Sequence, residues 1–187
     1  MIRTFIAIDI ADEKIISKIV GIQKQLVKSG SSMKLVEPEN LHITLYFLGE
    51  IPESSLRYVE EAVTNCTKGV EPFTIDIGGV GAFPTIKRPR VLWIGVTKNS
   101  DKIEFIANCL KKILPSRGFR RESKSFHAHI TLARVKRYNS SLRDMLTKLS
   151  DVYIGSIPVN NIKIKKSTLT PKGPIYEDIK VIELGST

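Results

Sequence analysis

The chain has 187 residues, of which 42% are hydrophobic and 26% are charged, and its formal net charge is +10. This length suits one well-packed domain and is short for two independent ones. Its apolar runs fall short of the ~18 residues that span a membrane as a helix, and the first residues lack the pattern of a signal peptide. We therefore expect a cytoplasmic protein with no membrane partner.

The spacing of apolar residues predicts alternating strands and helices along the first half of the chain. The first helix is predicted from isoleucines and leucines at helical spacing. The strands are predicted from alternating apolar and polar residues or from short runs of β-branched residues. In chain order, we predict a strand at residues 3–9, a helix at 12–29, a strand at 41–48, a helix at 53–68 and a strand at 73–80.

The second half predicts the same succession of elements. We predict a strand at residues 91–96, a helix at 101–114, a strand at 126–135, a short helix at 141–149 and a strand at 162–167. Residues 175–184 add one more strand. Because both halves have the same order of elements, the chain resembles a duplicated unit.

A repeated tetrapeptide supports the duplication. His-Ile-Thr-Leu occupies residues 42–45 and recurs at residues 129–132, an offset of 129 − 42 = 87. The same offset places the strand residues 5–8 on residues 92–95. Since the chain contains only three histidines, a doubled motif is a stronger signal than a single one.

These patterns predict one domain over residues 1–187, with two pseudo-repeats at roughly 1–80 and 88–170 and a C-terminal strand. The expected fold class is α+β. Two similar lobes of antiparallel sheet, with helices on the outside, would face each other across a cleft with pseudo-two-fold symmetry.

Side-chain alternation predicts which residues of the first copy line that cleft. Residues i and i+2 of a strand share a face, so His42, Thr44 and Tyr46 point one way and their apolar neighbours point to the core. Tyr46 is then placed to stack on a base, although an aromatic side chain on a strand is as often a packing residue.

The second copy predicts a matching pair, His129 and Thr131, on the wet face of its strand. Arg134 follows five residues after His129, so a regular strand would aim it away from the cleft. It would reach a bound phosphate only if the strand ends or bulges first.

Two histidines and two threonines suit phosphodiester chemistry that needs no metal. One imidazole can act as general base while the other acts as general acid, and threonine hydroxyls can bond phosphate oxygens. Residues 117–137 contain seven Lys or Arg against one acid, and Lys163, Lys165 and Lys166 form a further basic group. Such clusters favour RNA as the partner.

Two other functions remain open at this level. In a metal enzyme, His127 and His129 would be ligands on one strand face with His42 as a third, although no carboxylate lies near them in the sequence. In a non-catalytic RNA-binding module, the basic surface would matter and the histidines would not. Cys66 and Cys109 lie in predicted helices without a metal pattern, and we expect reduced, partly buried thiols.

The two motifs and their flanking residues resemble the two-histidine (2H) phosphoesterase superfamily, within it the 2′-5′ RNA ligase branch, also called RNA 2′,3′-cyclic phosphodiesterases. The resemblance covers the opening strand (residues 3–8), the motif segments 40–49 and 126–134, and the stretches 81–84 and 90–93. Many relatives have proline where this chain has Ala128, and His127 is an additional histidine.

The resemblance implies a bilobal α+β fold, no cofactor, and hydrolysis of RNA 2′,3′-cyclic phosphate ends to 2′-phosphates, with reversible 2′-5′ RNA ligation as a side activity. It implies that His42 is the proton donor, that His129 is the proton acceptor, and that Thr44 and Thr131 hold the phosphate. We expect a monomer acting on tRNA-like or other RNAs with cyclic phosphate ends. Trimming of RNA 3′ ends and cleavage of small cyclic nucleotides stay open.

Overall fold

A computed structural model describes residues 1–186. Over these residues the chain forms nine strands and four α-helices. The strands are β1 Ile2–Asp9, β2 Ser32–Leu35, β3 His42–Ile51, β4 Phe73–Thr85, β5 Arg88–Lys98, β6 His129–Arg137, β7 Tyr153–Val159, β8 Asn161–Thr170 and β9 Gly173–Glu183. The helices are α1 Glu13–Val27, α2 Leu56–Thr67, α3 Ser100–Ser116 and α4 Ser141–Lys148. Every predicted element is present, whereas β2 and β7 were not predicted.

Helix α1 shows how local sequence sets these elements. The side chain of Asp12 accepts a hydrogen bond from the Ile15 amide at 2.9 Å, which caps the first turn. Ile15, Ile19 and Leu26 share the buried face of the helix. Among residues 1–186, no helix is long and apolar enough to cross a membrane.

The strand order of the sheet has an internal symmetry. The order is β7-β4-β5-β6-β3-β1-β8-β9, and β2 pairs with β6. The motif strands β3 and β6 are central neighbours, and β5 flanks β6 as β1 flanks β3. The motif strands pair antiparallel at Ile43 and Ile130, which are themselves related by the offset of 87. A pseudo-two-fold relation between the lobes follows, as the duplication predicts.

Each lobe contains elements from both halves of the sequence. The His42 lobe consists of β3, β1, β8 and β9 with helices α2 and α3, and the His129 lobe consists of β6, β5, β4 and β7 with α1 and α4. Strand β4 therefore comes from the first half and lies in the second lobe. The helices pack on one face of the curled sheet, which leaves the other face for the cleft.

The alignment of β1 with β5 differs from the predicted one by one residue. Ala7 pairs with Thr44, and Trp93 pairs with Thr131, so these two positions are equivalent although they are 86 residues apart. The predicted match of residues 5–8 with 92–95 was thus shifted by one position. As a result, Trp93 occupies the place that Ala7 has in the other lobe.

The prediction of two reduced thiols was wrong. Cys66 in α2 and Cys109 in α3 form a disulfide, with their Cα atoms 5.6 Å apart. The two cysteines are 43 residues apart in sequence, and they meet because α2 packs against α3. Sequence periodicity identified both helices but carried no information about which helices pack together.

Candidate active site

The centre of the cleft is built by the two motif strands. Because β3 and β6 pair antiparallel at Ile43 and Ile130, their register places His42 next to Thr131, and Thr44 next to His129. The isoleucines are fully buried, and the histidines and threonines on either side of them lie on the opposite, accessible face. Two imidazoles and two hydroxyls therefore meet where the lobes join.

Backbone carbonyls hold both imidazoles in the same way. Nδ1 of His42 lies 2.6 Å from the Asn40 carbonyl oxygen, and Nδ1 of His129 lies 2.6 Å from the His127 carbonyl oxygen. A carbonyl only accepts, so each Nδ1 carries the proton that it donates. Each Nε2 is thus left for chemistry, and that of His42 lies 2.9 Å from Thr44 Oγ1.

Burial lowers the pKa of both imidazoles below the ordinary value for histidine. In each case, the carbonyl at Nδ1 acts in the opposite direction and raises the pKa. At His42, the carboxylate of Asp9 also raises the pKa and Lys165 lowers it. At His129, the neighbouring imidazoles of His127 and His42 lower it further. Negative charge therefore favours the protonated form at His42 more than at His129.

The strands bulge at equivalent positions just after each motif. In β3 the pairing with β1 passes from Thr44 directly to Tyr46, and in β6 the pairing with β5 passes from Thr131 directly to Ala133. Leu45 and Leu132 are the extra residues, and they too are 87 residues apart. Each bulge reverses the side-chain alternation for the residues that follow.

The prediction that Tyr46 shares the face of His42 and Thr44 was wrong for this reason. Tyr46 is only 1% exposed, and its hydroxyl donates a hydrogen bond to the carbonyl of Arg120. Phe47 turns to the cleft instead, where the guanidinium of Arg3 lies 4.6 Å from its ring centre. Strand periodicity assigned Phe47 to the core face because the sequence pattern does not predict the bulge.

The bulge in β6 brings Arg134 to the cleft. Arg134 is the counterpart of Phe47 at the offset of 87, and both line the same cavity as His42, Thr44 and Thr131. The condition stated for Arg134, a bulge between it and His129, is thus met. Its role as a phosphate ligand remains a prediction.

Charged side chains surround the motif in the His42 lobe. Asp9 is the β1 partner of His42. Its carboxylate lies 2.9 Å from Lys163 Nζ and 2.7 Å from Lys165 Nζ, and both lysines also contact Asp178, at 2.7 and 2.6 Å. These lysines were predicted as part of a basic RNA-binding group, and that prediction is corrected because two carboxylates neutralise them.

Aromatic side chains surround the motif in the His129 lobe. The ring centre of Phe83 lies 5.0 Å from that of His129 and 5.3 Å from that of Trp93, and Trp93 lies 4.7 Å from His127. Gly81 faces Trp93 across β4 and β5, and a Cβ there would lie 2.4 Å from the indole ring. Glycine at this position is therefore what makes room for the indole.

The family model of LigT-like phosphoesterases matches the chain twice, over residues 8–93 and 94–176. The chain belongs to the LigT-like phosphoesterase family. It is 47% identical over 97% of its length to the RNA 2′,3′-cyclic phosphodiesterase of Archaeoglobus fulgidus, covering 99% of that protein. It is 38% identical over 98% of its length to the protein of the same name from Methanothermobacter thermautotrophicus, covering 99% of it.

Solved structures share the fold of this chain. The protein TT0787 of Thermus thermophilus superposes with a TM-score of 0.80 at 28% identity, covering 97% of both chains. E. coli LigT in its apo form superposes with a TM-score of 0.77 at 23% identity, covering 99% of this chain and 98% of its own. The predicted fold class and family are thus confirmed.

The geometry of this LigT-like phosphoesterase bears on the alternative of a metal site. Within residues 1–186, no group of three or more His, Cys, Asp or Glu side chains is arranged to hold a metal ion. The rings of His127 and His129 are 5.9 Å apart between centres, and both are turned toward Phe83. Metal independence stays a prediction.

Proposed function

We propose that this protein hydrolyses RNA 2′,3′-cyclic phosphate ends to 2′-phosphates by acid–base catalysis with His42 and His129. The observation that carries the proposal is the pair of His-x-Thr motifs, brought side by side at the centre of the sheet with each Nδ1 held by a backbone carbonyl and the Nε2 of His42 beside the Thr44 hydroxyl. The names of the Archaeoglobus and Methanothermobacter relatives support the substrate class.

The proposed reaction displaces the 3′-oxygen by water at phosphorus. His129 takes the proton of the attacking water at Nε2, and His42 gives a proton to the departing 3′-oxygen on the opposite side. The P–O bond to water forms and the P–O3′ bond breaks, which leaves the phosphate on the 2′-oxygen. Burial lowers the pKa of His42, and the carboxylate of Asp9 acts against that lowering, in the direction that a proton donor needs.

We assign the binding of the non-bridging phosphate oxygens to Thr44, Thr131 and Arg134. The threonine hydroxyls flank the point where β3 and β6 meet, and Arg134 lines the same cavity. A guanidinium and two hydroxyls would stabilise the charge that gathers on these oxygens in the transition state. Tyr46 has no part in this assignment because its side chain is buried.

Four further expectations belong to the proposal. The RNA can be tRNA-like or any other RNA with a cyclic phosphate end, and 2′-5′ ligation would be the same displacement with a 5′-hydroxyl in place of water. A monomer suffices, because one chain supplies both histidines and both threonines to the cleft. A cytoplasmic location follows from the sequence expectation alone.

The test is incubation of the protein with a 2′,3′-cyclic-phosphate oligonucleotide in the presence of EDTA, followed by identification of the product by phosphorus NMR. We expect a 2′-phosphate, and a loss of ~10²–10⁴ in rate for His42→Ala or His129→Ala. Turnover that requires added zinc would support the metal enzyme instead. RNA binding that survives both substitutions, without turnover in the wild type, would support the non-catalytic module.

A further inference from the structure

A cavity of about 850 Å³ opens beside His42 and extends away from the motif strands. Its floor holds His42, Thr44 and Thr131. One wall is β2 with the residues that follow it, and the other is the tip of the β8–β9 hairpin, residues 169–176. The walls approach closely, since Lys34 Nζ lies 3.6 Å from the position of a Cβ at Gly173. This volume lies toward the upper end of ligand pockets, ~300–1,000 Å³.

The proposed reaction determines which side of the phosphate the RNA must occupy. In an in-line displacement, the attacking water and the leaving 3′-oxygen are on opposite sides of phosphorus. The 3′-oxygen belongs to the ribose, and the rest of the RNA is attached to that ribose through its 5′ carbon. Because His42 contacts the 3′-oxygen in the proposed mechanism, the ribose and the chain 5′ of it lie on the His42 side, where the cavity opens.

The charges of the cavity suit a polyanion. The cavity is lined by four cationic side chains, those of Arg3, Lys34, Arg134 and Lys172, and by two carboxylates, those of Glu37 and Glu39. Neither Lys34 nor Lys172 forms an ion pair with any residue from 1 to 186. They differ in this from Lys163 and Lys165, whose ammonium groups are held by carboxylates. An unpaired lysine can replace the counterions of a phosphate at small cost.

The cavity also offers flat and apolar surface for bases. The ring of Tyr176 lies 4.9 Å from that of Phe5 and 5.3 Å from that of His42, between centres. Leu169 and Ile175, on either side of the hairpin tip, are 66% and 55% exposed. Aromatic rings beside a track of cations are the usual elements of a site for single-stranded nucleic acid.

We infer that this cavity binds the single-stranded RNA 5′ of the cyclic phosphate, with Lys34 and Lys172 contacting its backbone phosphates, so that the enzyme prefers oligonucleotide ends to cyclic mononucleotides. The inference rests on the proposed function and adds to it a chain-binding subsite. A cyclic mononucleotide has no internucleotide phosphate and cannot use the two lysines. A trinucleotide or longer substrate has at least two.

The experiment compares a cytidine 2′,3′-cyclic phosphate mononucleotide with a hexanucleotide bearing the same end. For the wild type, we expect a higher kcat/KM on the hexanucleotide. Lys34→Ala/Lys172→Ala should remove most of that advantage and change the mononucleotide rate by less than about twofold. Each lost phosphate contact should also remove ~0.7 from the salt-dependence slope measured on the hexanucleotide. Lys112→Ala/Lys148→Ala, which removes the same charge from exposed positions on α3 and α4, is the matched control.

Three results would overturn the inference. Equal wild-type kcat/KM on both substrates would show that the chain gains nothing from the cavity, while the proposed function would stand. Equal losses on both substrates in the Lys34/Lys172 variant would place these lysines at the reaction centre. An equal loss of the hexanucleotide advantage in the Lys112/Lys148 control would show that net charge, and not the position of the lysines, causes the effect. Failure to turn over either substrate would count against the proposed function itself.

Discussion

The two lobes present the same His-x-Thr pair, on equivalent strands and with equivalent bulges, but they surround it differently. In the His42 lobe, Asp9, Lys163, Lys165 and Asp178 form an ion network beside the imidazole. In the His129 lobe, Gly95 stands at the position of Asp9 and Trp93 at that of Ala7. Aromatic rings contact both imidazoles, Phe5 and Tyr176 at His42 and Phe83 at His129, so the lobes differ in the ion network and in the indole. Duplication therefore explains where the two His-Thr pairs lie, and divergence around them would allow two like imidazoles to take the unlike roles proposed above.

The largest expected effect tests whether those roles differ. In a substrate whose 3′-bridging oxygen is replaced by sulfur, the leaving thiolate has a conjugate acid with a pKa of ~8.5 and needs no proton donor. On this substrate, we expect His42→Ala to recover much of its ~10²–10⁴ loss and His129→Ala to recover little. Single-turnover rates of both variants on the oxygen and sulfur substrates measure the loss and the recovery.

The opposite result is equally informative. Rescue of His129→Ala alone would exchange the donor and the acceptor between the lobes. Rescue of neither variant would mean that the two histidines do not divide acid and base between them, and that the ion network at His42 serves the fold alone.

The second effect concerns the helices behind the lobes. The disulfide joins α2 to α3 behind the His42 lobe, and closes a loop with a sequence separation of 43. Cys66→Ser/Cys109→Ser should lower the free energy of unfolding by ~2–4 kcal/mol, measured by urea denaturation. We expect kcat/KM to stay unchanged, because the bond lies on the helical side of the sheet. A reducing agent should have the same effect on the wild type and none on the double variant.

The disulfide also illustrates how far the sequence could predict the molecule. Apolar spacing and the offset of 87 predicted the repeated elements, the motif strands and the presence of His42 and His129 in one cleft. The disulfide, the exchange of β4 and β8 between lobes, and the strands β2 and β7 depend on long-range packing. Phe47 and Tyr46 were assigned to the wrong faces because a bulge is set by the pairing of two strands. The shared offset of Phe47 and Arg134 was the available signal that both belong to one surface.

The third effect tests the packing that distinguishes the His129 lobe. Gly81→Ala would place a Cβ 2.4 Å from Trp93, so we expect a loss of ~1–3 kcal/mol in the free energy of unfolding. Because Trp93 is the strand partner of Thr131, kcat/KM should fall as well. Gly21→Ala in α1 is the matched control, since a Cβ there meets nothing within 4 Å and should stabilise the helix by ~0.5–1 kcal/mol. If Gly81→Ala were as stable as the wild type, the indole of Trp93 would have to move freely, and its position beside the motif would not be fixed.

The smallest expected effect concerns His127, the third histidine of the chain. At the offset of 87 its counterpart is Asn40. In both residues the backbone carbonyl accepts the Nδ1 proton of the motif histidine two residues later, at 2.6 Å. The side chains differ, since the Asn40 amide donates to the Pro174 carbonyl at 3.1 Å and the exposed His127 ring packs on Trp93.

His127→Ala keeps the carbonyl that orients His129, so we expect turnover within about tenfold of wild type, at most ~1.4 kcal/mol in the barrier. The imidazole of His127 also lowers the pKa of His129, so its removal should raise that pKa. The limb of the pH profile of kcat/KM that belongs to the base should then shift to higher pH, because His129 must be neutral to accept a proton. A shift to lower pH, or a loss as large as that of His129→Ala, would mean that the His127 side chain takes part in catalysis and that the two lobes differ in chemistry as well as in surroundings.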